Sequence, residues 1–371
     1  MIMSAAQFIR KGLEPQHLVS SLSFVVFLLS SIFATDNLWV SITAAVFLGV
    51  AVMSSVHHAE VIAHKIGEGL GTLVLALCVT IIEVGLIVSL MNQSTVSADS
   101  AVLARDTVFA AVMIITNGMV ALCLILGGMK YKEQEFQVQG SKSLMVVLMT
   151  LALLVFVLPN FTTTTAAGTY NPPQMIFIGI ICVVLYLLFI LFQTTTHKTY
   201  FEAVDTKSDI SPIDSTHEIT TTDAWLSFIS LSVSLIAVIG LAKMISPLIE
   251  QGVDYVGAPK SMVGLLIAGI VLLPETWAAV NAARANRLQT SLNLALGSGI
   301  ASIALTIPTV IAFCLYTNQT LMLGLDPKNM VFLIMTFMAG TITLGTGKAT
   351  LLQGAVHGVI LLTYFVMSFI P

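Results

Sequence analysis

Long apolar segments separated by short polar loops dominate the pattern of hydrophobic and polar positions along this chain. Apolar windows of about 17–25 residues are long enough to cross a bilayer as α-helices. The pattern predicts eleven such helices, and proline is expected to interrupt the eighth and ninth, at Pro274 and Pro308. The predicted bounds are 18–34, 38–56, 69–91, 104–127, 143–159, 175–192, 224–249, 258–282, 289–316, 329–346 and 350–370.

Composition supports a membrane protein of the all-α polytopic class. Hydrophobic residues make up 57% of the 371 residues and charged residues only 9%, whereas soluble domains carry about 25% charged residues. The alternating pattern of barrel strands is absent from the sequence. The cysteines lie inside apolar runs without CxxC spacing, which predicts core packing rather than disulfides or a zinc site. They are Cys78, Cys123, Cys182 and Cys314.

Lysine and arginine are distributed unequally between the loops on the two predicted sides. One side receives Arg10, Lys11, Lys65, Lys130, Lys132, Lys142, Lys198, Lys207, Arg284, Arg287 and Lys348, and the other receives Arg105, Lys243, Lys260 and Lys328. Because positive charge accumulates in cytoplasmic loops, we expect a cytoplasmic N-terminus and an external C-terminus. No small-x-small cleavage pattern precedes Asp36, so we expect a retained first helix rather than a signal peptide.

The longest connection, residues 193–223, is acidic and divides the other ten helices into helices 2–6 and 7–11. A repeat of five helices, an odd number, has inverted topology in its second copy, and inverted repeats around a midplane site recur in transporters. We interpret the connection as a solvated cytoplasmic linker, with cation collection or regulation as the alternative. The predicted organisation is 1–36 (N-terminal segment and helix 1), 37–192 (first repeat), 193–223 (linker) and 224–371 (second repeat).

Each predicted repeat contains one acid inside an apolar helix, Glu83 or Glu275. A carboxylate at the bilayer centre costs about 2.5–3.5 kcal/mol on insertion scales, so it marks a functional site by default. The alternatives are an acid neutralised only for folding at Glu83, and an acid at a helix kink facing water at Glu275. We interpret the pair as one membrane-centre site, because two carboxylates in a low dielectric favour binding of either protons or a cation.

Further oxygen donors are needed to complete a coordination shell, which for calcium contains six to eight oxygens. Pro274 lacks an N–H, so the carbonyl of Ile270, four residues earlier, has no helical donor from that position. The candidate supporting ligands are this carbonyl, three hydroxyl groups and one amide. They belong to Thr80, Asn117, Ile270, Thr276 and Ser298.

A segment rich in histidine and glutamate follows helix 2 on the predicted cytoplasmic side. Because histidine titrates near neutral pH, the segment is a candidate access path for protons and cations, and an ordinary interfacial cluster is the alternative. It is not the HExxH zinc motif, since no histidine directly precedes Glu60. Its polar members are His57, His58, Glu60, His64 and Glu68.

The chain resembles the cation/proton exchangers of the calcium/cation antiporter superfamily, in particular the bacterial ChaA-type antiporters. The resemblance is strongest in HHAEVIAHKIGEGLGTLVLALCVTIIEVGLIVSLM (57–91), IAVIGLAKMISPLIE (236–250), LLPETWAAVNAARANRLQTSLNLALGSGIASIALTIP (272–308) and TGKATLLQGAVHGVILLTYF (346–365). It implies eleven helices, an acidic cytoplasmic loop after helix 6, and an essential acid in each half, here Glu83 and Glu275. Many calcium/proton exchangers have Gly-Asn-Ala-x-Glu in both halves, whereas this chain has Val79-Thr80-Ile81-Ile82-Glu83 and Leu272-Leu273-Pro274-Glu275.

Residues and resemblance together predict a secondary antiporter of the bacterial inner membrane. It is expected to export cytoplasmic Ca²⁺, with Na⁺ or K⁺ as further ions, in exchange for H⁺ by alternating access. We expect no cofactor and no nucleic-acid partner, only inorganic cations, protons and the lipid bilayer, and the oligomeric state is left open. The main alternative is a cation channel or uniporter without proton coupling. A membrane enzyme is disfavoured, because the sequence contains neither HExxH, GxSxG nor paired intramembrane aspartates.

Overall fold

The computed structural model describes residues 15–32, 38–66, 77, 80–89, 91, 97–202, 220–259 and 261–370. Helices make up most of these residues. The first four are α1 (Pro15–Ile32), α2 (Leu38–Ile66), α3 (Thr80–Ser89) and α4, in which a π-helical turn, Ile114–Met119, joins Ser97–Met113 to Val120–Tyr131. Then come α5 (Val138–Ala152, the π turn Leu153–Val157 and the 3₁₀ turn Leu158–Phe161) and α6 (Pro172–Leu191 and the π turn Phe192–Thr196).

The later part of the chain is built in the same way. It contains α7 (Thr221–Val256), α8 (Ser261–Arg284), α9 (Leu288–Ala301, the π turn Ser302–Thr306 and Ile307–Thr317), α10 (Pro327–Leu344) and α11 (Leu351–Phe369). Two short strands, β1 (Glu133–Glu135) and β2 (Lys348–Thr350), form an antiparallel pair, and a 3₁₀ turn, Lys198–Tyr200, follows α6.

The prediction of an all-α polytopic membrane protein is confirmed. Within the described ranges, nine helices are long and apolar enough to cross a membrane, and α8 makes a tenth if its two bent parts form one span. Predicted helix 3 is described mainly as α3, which is too short to cross a bilayer by itself. The count of eleven spans and the division into inverted repeats and a linker therefore remain predictions.

The predicted end of helix 2 at residue 56 is wrong, since α2 continues to Ile66. Histidine, glutamate and lysine are compatible with a helix, and the first glycine after the apolar run is Gly67. Polarity therefore marks where the helix leaves the apolar layer and not where it ends. His57 and His58 lie on its last turns rather than in a following loop.

The two predicted proline interruptions take different forms. In α8 the axes of Met262–Leu273 and Glu275–Arg284 differ by 51°, so the helix bends at the proline. In α9 the π turn Ser302–Thr306 lies just before Pro308, and the helix then continues to Thr317. A wider turn relieves the clash between a proline ring and the carbonyl four residues earlier.

The chain divides into two compact units, and the first contains the described parts of 1–89 and 207–252. Polar side chains join its helices: Ser20 Oγ of α1 lies 2.8 Å from Ser54 Oγ of α2, and His17 Nδ1 lies 2.7 Å from Ser230 Oγ of α7. A methyl group on Gly85 of α3 would come within 2.6 Å of Ile239, so α3 and α7 are in close contact. Small residues and hydroxyl pairs are the usual contacts between helices in membranes.

The second unit contains the described parts of 90–206 and 253–371, with α4–α6, α8–α11 and the strands. Glycines again permit close helix contacts. A Cβ atom on Gly264 of α8 would lie 2.8 Å from Thr107 Oγ1 of α4, and one on Gly354 of α11 would lie 2.9 Å from the backbone nitrogen of Ile125 in α4. α4 is thus at the centre of this unit, between α8 and α11.

The strand pair marks one end of the second unit. Gln134 lies opposite Ala349 in the ladder, and its Nε2 donates to the carbonyl of Ala283, 2.8 Å away, at the end of α8. Lys348 Nζ lies 3.0 Å from Glu135, and this hydrogen bond and charge pair raise the pKa of the lysine. The connections that end α4, α8 and α10 therefore meet at one end of the unit.

The two ends of this unit carry residues that the sequence assigns to opposite sides of the membrane. Lys132, Arg287 and Lys348, which the sequence assigns to the cytoplasmic side, lie in the connections that meet at the strand pair. At the other end of α4, Arg105 Nη1 donates to the carbonyl of Gly324, 2.9 Å away, and Arg105 was assigned to the opposite side. The orientation of the chain in a membrane remains a prediction.

Replacing Gly354 by alanine tests the close contact between α4 and α11. The new methyl group meets backbone, which cannot rotate away, so we expect a loss of about 1–3 kcal/mol of stability. Gly358 is the matched control, because its Cβ atom would only reach Ala121 Cβ at 3.9 Å. Gly354→Ala should lower the temperature at which the detergent-solubilised protein loses its monodisperse peak, and Gly358→Ala should not. If Gly354→Ala and Gly358→Ala lost the monodisperse peak at the same temperature, the close contact between α4 and α11 would be contradicted.

Candidate cation-binding site

The carboxylate of Glu275 lies at the bend of α8 and is fully buried, with 0% exposure. Ser298 of α9 donates a hydrogen bond from Oγ to Glu275 Oε2 at 2.5 Å. Ser298, one of the predicted supporting ligands, is therefore hydrogen-bonded to the predicted cation-binding acid Glu275. The contact holds α8 and α9 together at the site.

Two other predicted ligands lie on α8 itself. The hydroxyl group of Thr276 donates to the carbonyl of Leu272 at 2.7 Å, so it bonds to its own helix. Pro274, like any proline, has no N–H to donate to the carbonyl of Ile270. The roles of Thr276 and Ile270 as cation ligands remain predictions.

The amide of Asn117 is completely buried within the π turn Ile114–Met119 of α4. Its Nδ2 donates to Thr336 Oγ1 of α10 at 2.8 Å and lies 3.3 Å from Thr116 Oγ1. Its Oδ1 lies 3.1 Å from Nδ1 of His357 in α11. Both polar atoms of the amide thus take part in contacts to other helices. The structure therefore places this predicted ligand within a buried polar network.

The π turn that carries Asn117 packs against both helices of the Glu275–Ser298 pair. It contacts α8, which carries Glu275, and α9, which carries Ser298. A Cβ atom on Gly299, the neighbour of Ser298, would lie 3.5 Å from Ile115 Cγ2 in the turn. π-Helical turns inside α-helices are frequent at functional sites, and α9 contains another directly after this segment.

Glu83 and Thr80 both lie on α3 in the first unit, and both side chains are buried. A buried acid in an apolar helix fits the functional interpretation given to Glu83. Glu275 belongs to the second unit. The joint site of the two acids therefore remains a prediction.

The predicted access path is described only at its first two histidines. His57 is exposed, with Nε2 3.1 Å from Gln16 Oε1, whereas His58 is buried. His58 Nε2 donates to the backbone carbonyl of Gln16 at 3.2 Å, and its ring stacks on that of His17 with centroids 4.9 Å apart. These contacts join α1 to α2. The side chains of Glu60 and His64, and residue Glu68, lie outside the described residues.

Three residues of the buried network were missed by the reasoning from sequence: His357, Thr336 and Thr343. His357 carried a usable signal, because it is an ionisable side chain in the middle of an apolar span, and such residues are functional candidates by default. The two threonines carried none, since hydroxyl groups are common in membrane helices.

The described residues contain no group of three or more His, Cys, Asp and Glu side chains able to hold a metal ion. The predicted role of the cysteines is confirmed for Cys123, Cys182 and Cys314, which are buried and free. Cys78 lies outside the described residues.

The chain is similar to known ion transporters. The family described as sodium/calcium exchanger protein matches residues 36–195 and 226–370. A protein of Sinorhizobium fredii whose name describes an ionic transporter is 47% identical over 321 residues, covering 86% of each chain. The sodium-potassium/proton antiporter ChaA of Escherichia coli is 33% identical over 379 residues, covering 99% of this chain and 100% of that protein. The crystal structure of the H⁺/Ca²⁺ exchanger CAX has the same fold, with a TM-score of 0.68 at 16% identity, covering 95% of this chain and 91% of that one.

Replacing Ser298 by alanine tests the contact with Glu275. It removes a hydrogen bond to a charged group, an interaction of about 1.5–3 kcal/mol, so we expect the cation affinity to fall at least about tenfold. Calorimetric titration of the solubilised protein with Ca²⁺, Na⁺ and K⁺ measures this. Ser298→Thr, which keeps the hydroxyl group, should retain more of the affinity.

Ser291→Ala is the matched control on α9. Ser291 is also buried, but its hydroxyl group donates to the backbone carbonyl of Ala279 at 2.8 Å. Its loss should lower stability without lowering cation affinity. An equal fall in affinity for Ser291→Ala and Ser298→Ala would show that the effect does not arise at the carboxylate.

Proposed function

Because this chain belongs to the sodium/calcium exchanger protein family, whose members are secondary antiporters and not enzymes, we propose that it exports cytoplasmic cations in exchange for H⁺. The cations are Ca²⁺, Na⁺ or K⁺. Glu275 and Glu83 are the groups that bind cation and protons alternately. The observation that carries the proposal is the fully buried carboxylate of Glu275, held by Ser298 at a bend inside a membrane helix.

The physical basis of exchange is the high cost of an unneutralised carboxylate inside a membrane. Either a proton or a metal cation can neutralise Glu275, and the two compete for the same oxygen atoms. A cation therefore binds when protons leave, and protons bind when the cation leaves. A divalent ion neutralises two carboxylates, whereas a monovalent ion neutralises one, so the charge of the ion affects how fully Glu83 and Glu275 are compensated.

The coordination shell that we propose extends beyond the two acids. Ser298 supplies a hydroxyl oxygen and already contacts Glu275. The remaining oxygens would come from the supporting ligands chosen from the sequence: Thr80, Asn117, Thr276 and the carbonyl of Ile270. Ligands of this type suit hard cations such as Ca²⁺. The relative named a sodium-potassium/proton antiporter supports Na⁺ and K⁺ as equal candidates.

Alternating access requires that the occupied site favours closure more than the empty, doubly charged site does. Movement of the predicted halves, or of α2 and α7 as gating helices, would expose the site to each side in turn, as in other transporters with inverted repeats. The histidine segment beginning at His57 would lie on the cytoplasmic access path.

We also propose that the chain lies in a bacterial inner membrane with its N-terminus in the cytoplasm and its C-terminus outside, as the loop charges indicate. Fusion of alkaline phosphatase after residue 371 should therefore give an active enzyme, and fusion of a green fluorescent protein there should give no fluorescence. Fusions in the connection after α6 should behave in the opposite way. Fluorescence from the C-terminal fusion would overturn this orientation.

A cation channel or uniporter is the second candidate function. Such a protein conducts ions down their gradient without protons, and it needs a continuous pore with a selectivity filter. Cation movement against its own gradient distinguishes the two, because an imposed pH gradient drives such movement through an antiporter and not through a channel.

Replacing Glu275 or Glu83 by glutamine tests the proposal directly. Glutamine has a similar shape but can neither release a proton nor neutralise a cation. In everted membrane vesicles with an acidic interior, wild-type protein should dissipate the pH gradient when Ca²⁺, Na⁺ or K⁺ is added. Both variants should fall to the level of vesicles that lack the protein, as measured with a pH-sensitive dye.

Glu202→Gln is the matched control, because Glu202 is exposed and forms only a surface pair with Lys198. It should exchange at the wild-type rate. Full exchange by both membrane variants, or cation uptake by wild-type vesicles without accompanying proton release, would contradict the proposed mechanism.

A further inference from the structure

His357 is an ionisable side chain in the apolar helix α11, and it is 1% exposed. A side chain of this type is retained inside a membrane when it faces the protein interior and has polar partners. Two side-chain partners are present: Nδ1 lies 3.1 Å from Asn117 Oδ1, and Nε2 lies 3.2 Å from Thr343 Oγ1. The imidazole ring therefore connects α11 to α4 and α10.

With the Asn117 amide oxygen towards the ring, each ring nitrogen has a defined role. An amide oxygen only accepts hydrogen bonds, so Nδ1 of His357 carries the proton and donates to Asn117. In the neutral imidazole, Nε2 then accepts from the hydroxyl group of Thr343. Thr343 thus orients the ring, and the ring orients the amide.

The amide of Asn117 is held from both sides as a result. Its nitrogen donates to Thr336 and its oxygen accepts from His357. Rotation of the amide by half a turn would exchange donor and acceptor, and the ring would then have to change tautomer, with Nδ1 accepting from Nδ2 and Nε2 donating to Thr343. The hydrogen bonds to Thr336 and His357 therefore restrict rotation of the Asn117 amide and link its orientation to the tautomer of the ring.

This oxygen has two lone pairs, and one accepted hydrogen bond uses only one of them. The π turn that carries it contacts the helices of Glu275 and Ser298. We propose that His357 is a positioning residue for the cation site: it holds the Asn117 amide so that its oxygen presents the second lone pair as an uncharged ligand to the transported cation. This inference rests on the proposed function and adds to it a residue that does not itself touch the ion.

The test is the cation dependence of exchange in proteoliposomes containing His357→Leu or His357→Gln. Loss of a hydrogen-bond partner that orients a metal ligand typically weakens metal affinity by about 10–100-fold. We expect His357→Leu to raise the apparent KM for the cation by that factor, with a smaller change in maximal rate. His357→Gln, whose amide can still donate, should restore part of the affinity.

Tyr364→Phe is the control on the same helix. Tyr364 is buried among Phe109 and Phe332, so the substitution removes a buried hydroxyl group from α11 outside the network and retains the ring. It should leave the apparent KM unchanged. Thr343→Val keeps His357 but removes the group that orients it, and should raise the KM in the same direction by a smaller factor. If His357→Leu does not fold, the apparent KM values of Thr343→Val and His357→Gln still test the role of His357.

A double-mutant cycle with Asn117→Ala shows whether His357 acts through the amide. If it does, His357→Leu adds no further increase in KM once Asn117 is alanine. Independent, multiplicative effects would overturn the inference, and so would a KM for monodisperse His357→Leu within twofold of wild type. If wild type exchanges and Glu275→Gln does not, such results overturn only the role of His357. If wild type does not exchange cations for protons, the proposed function fails and the inference with it.

Discussion

Burial of the Glu275 carboxylate is the constraint on which the second unit depends. A charged group inside an apolar layer requires a donor nearby, and Ser298 supplies it only if α9 lies directly against α8 at the bend. That contact places the glycine beside Ser298 against the π turn of α4. The helix bend, the serine donor and the close packing together therefore accommodate a buried carboxyl group.

Backbone hydrogen bonding limits how such a site can be built. In a bilayer every backbone polar group must find a partner within the protein, so a helix cannot simply open to expose carbonyl oxygens. The π turns of α4 and α9 change the helical register locally while the helix continues on both sides. They bring side chains to positions that a regular α-helix does not provide.

The hydrophobic pattern predicted the fold class and the approximate positions of most spans, because span length is set by bilayer thickness. The bend at Pro274 was also predictable, since the missing N–H of proline is a local property of the sequence. The extension of α2 was not predictable from hydropathy, because a helix continues past the edge of the apolar layer. The contact between His357 and Asn117 was equally hidden, since it joins helices far apart in the chain and depends on the packing of α4 against α11.

The pairing of β1 with β2 has a consequence for biosynthesis. β1 follows α4, whereas its partner precedes the last helix, so the ladder cannot form until the ribosome has made nearly the entire chain. Until then Gln134, which is buried in the finished protein, has no strand beside it. Helices that are inserted early therefore remain in the membrane without the β1–β2 ladder until the last part of the chain has been made. A nascent chain that stalls before residue 348 contains the Glu275 segment without the strand that closes the unit around α4.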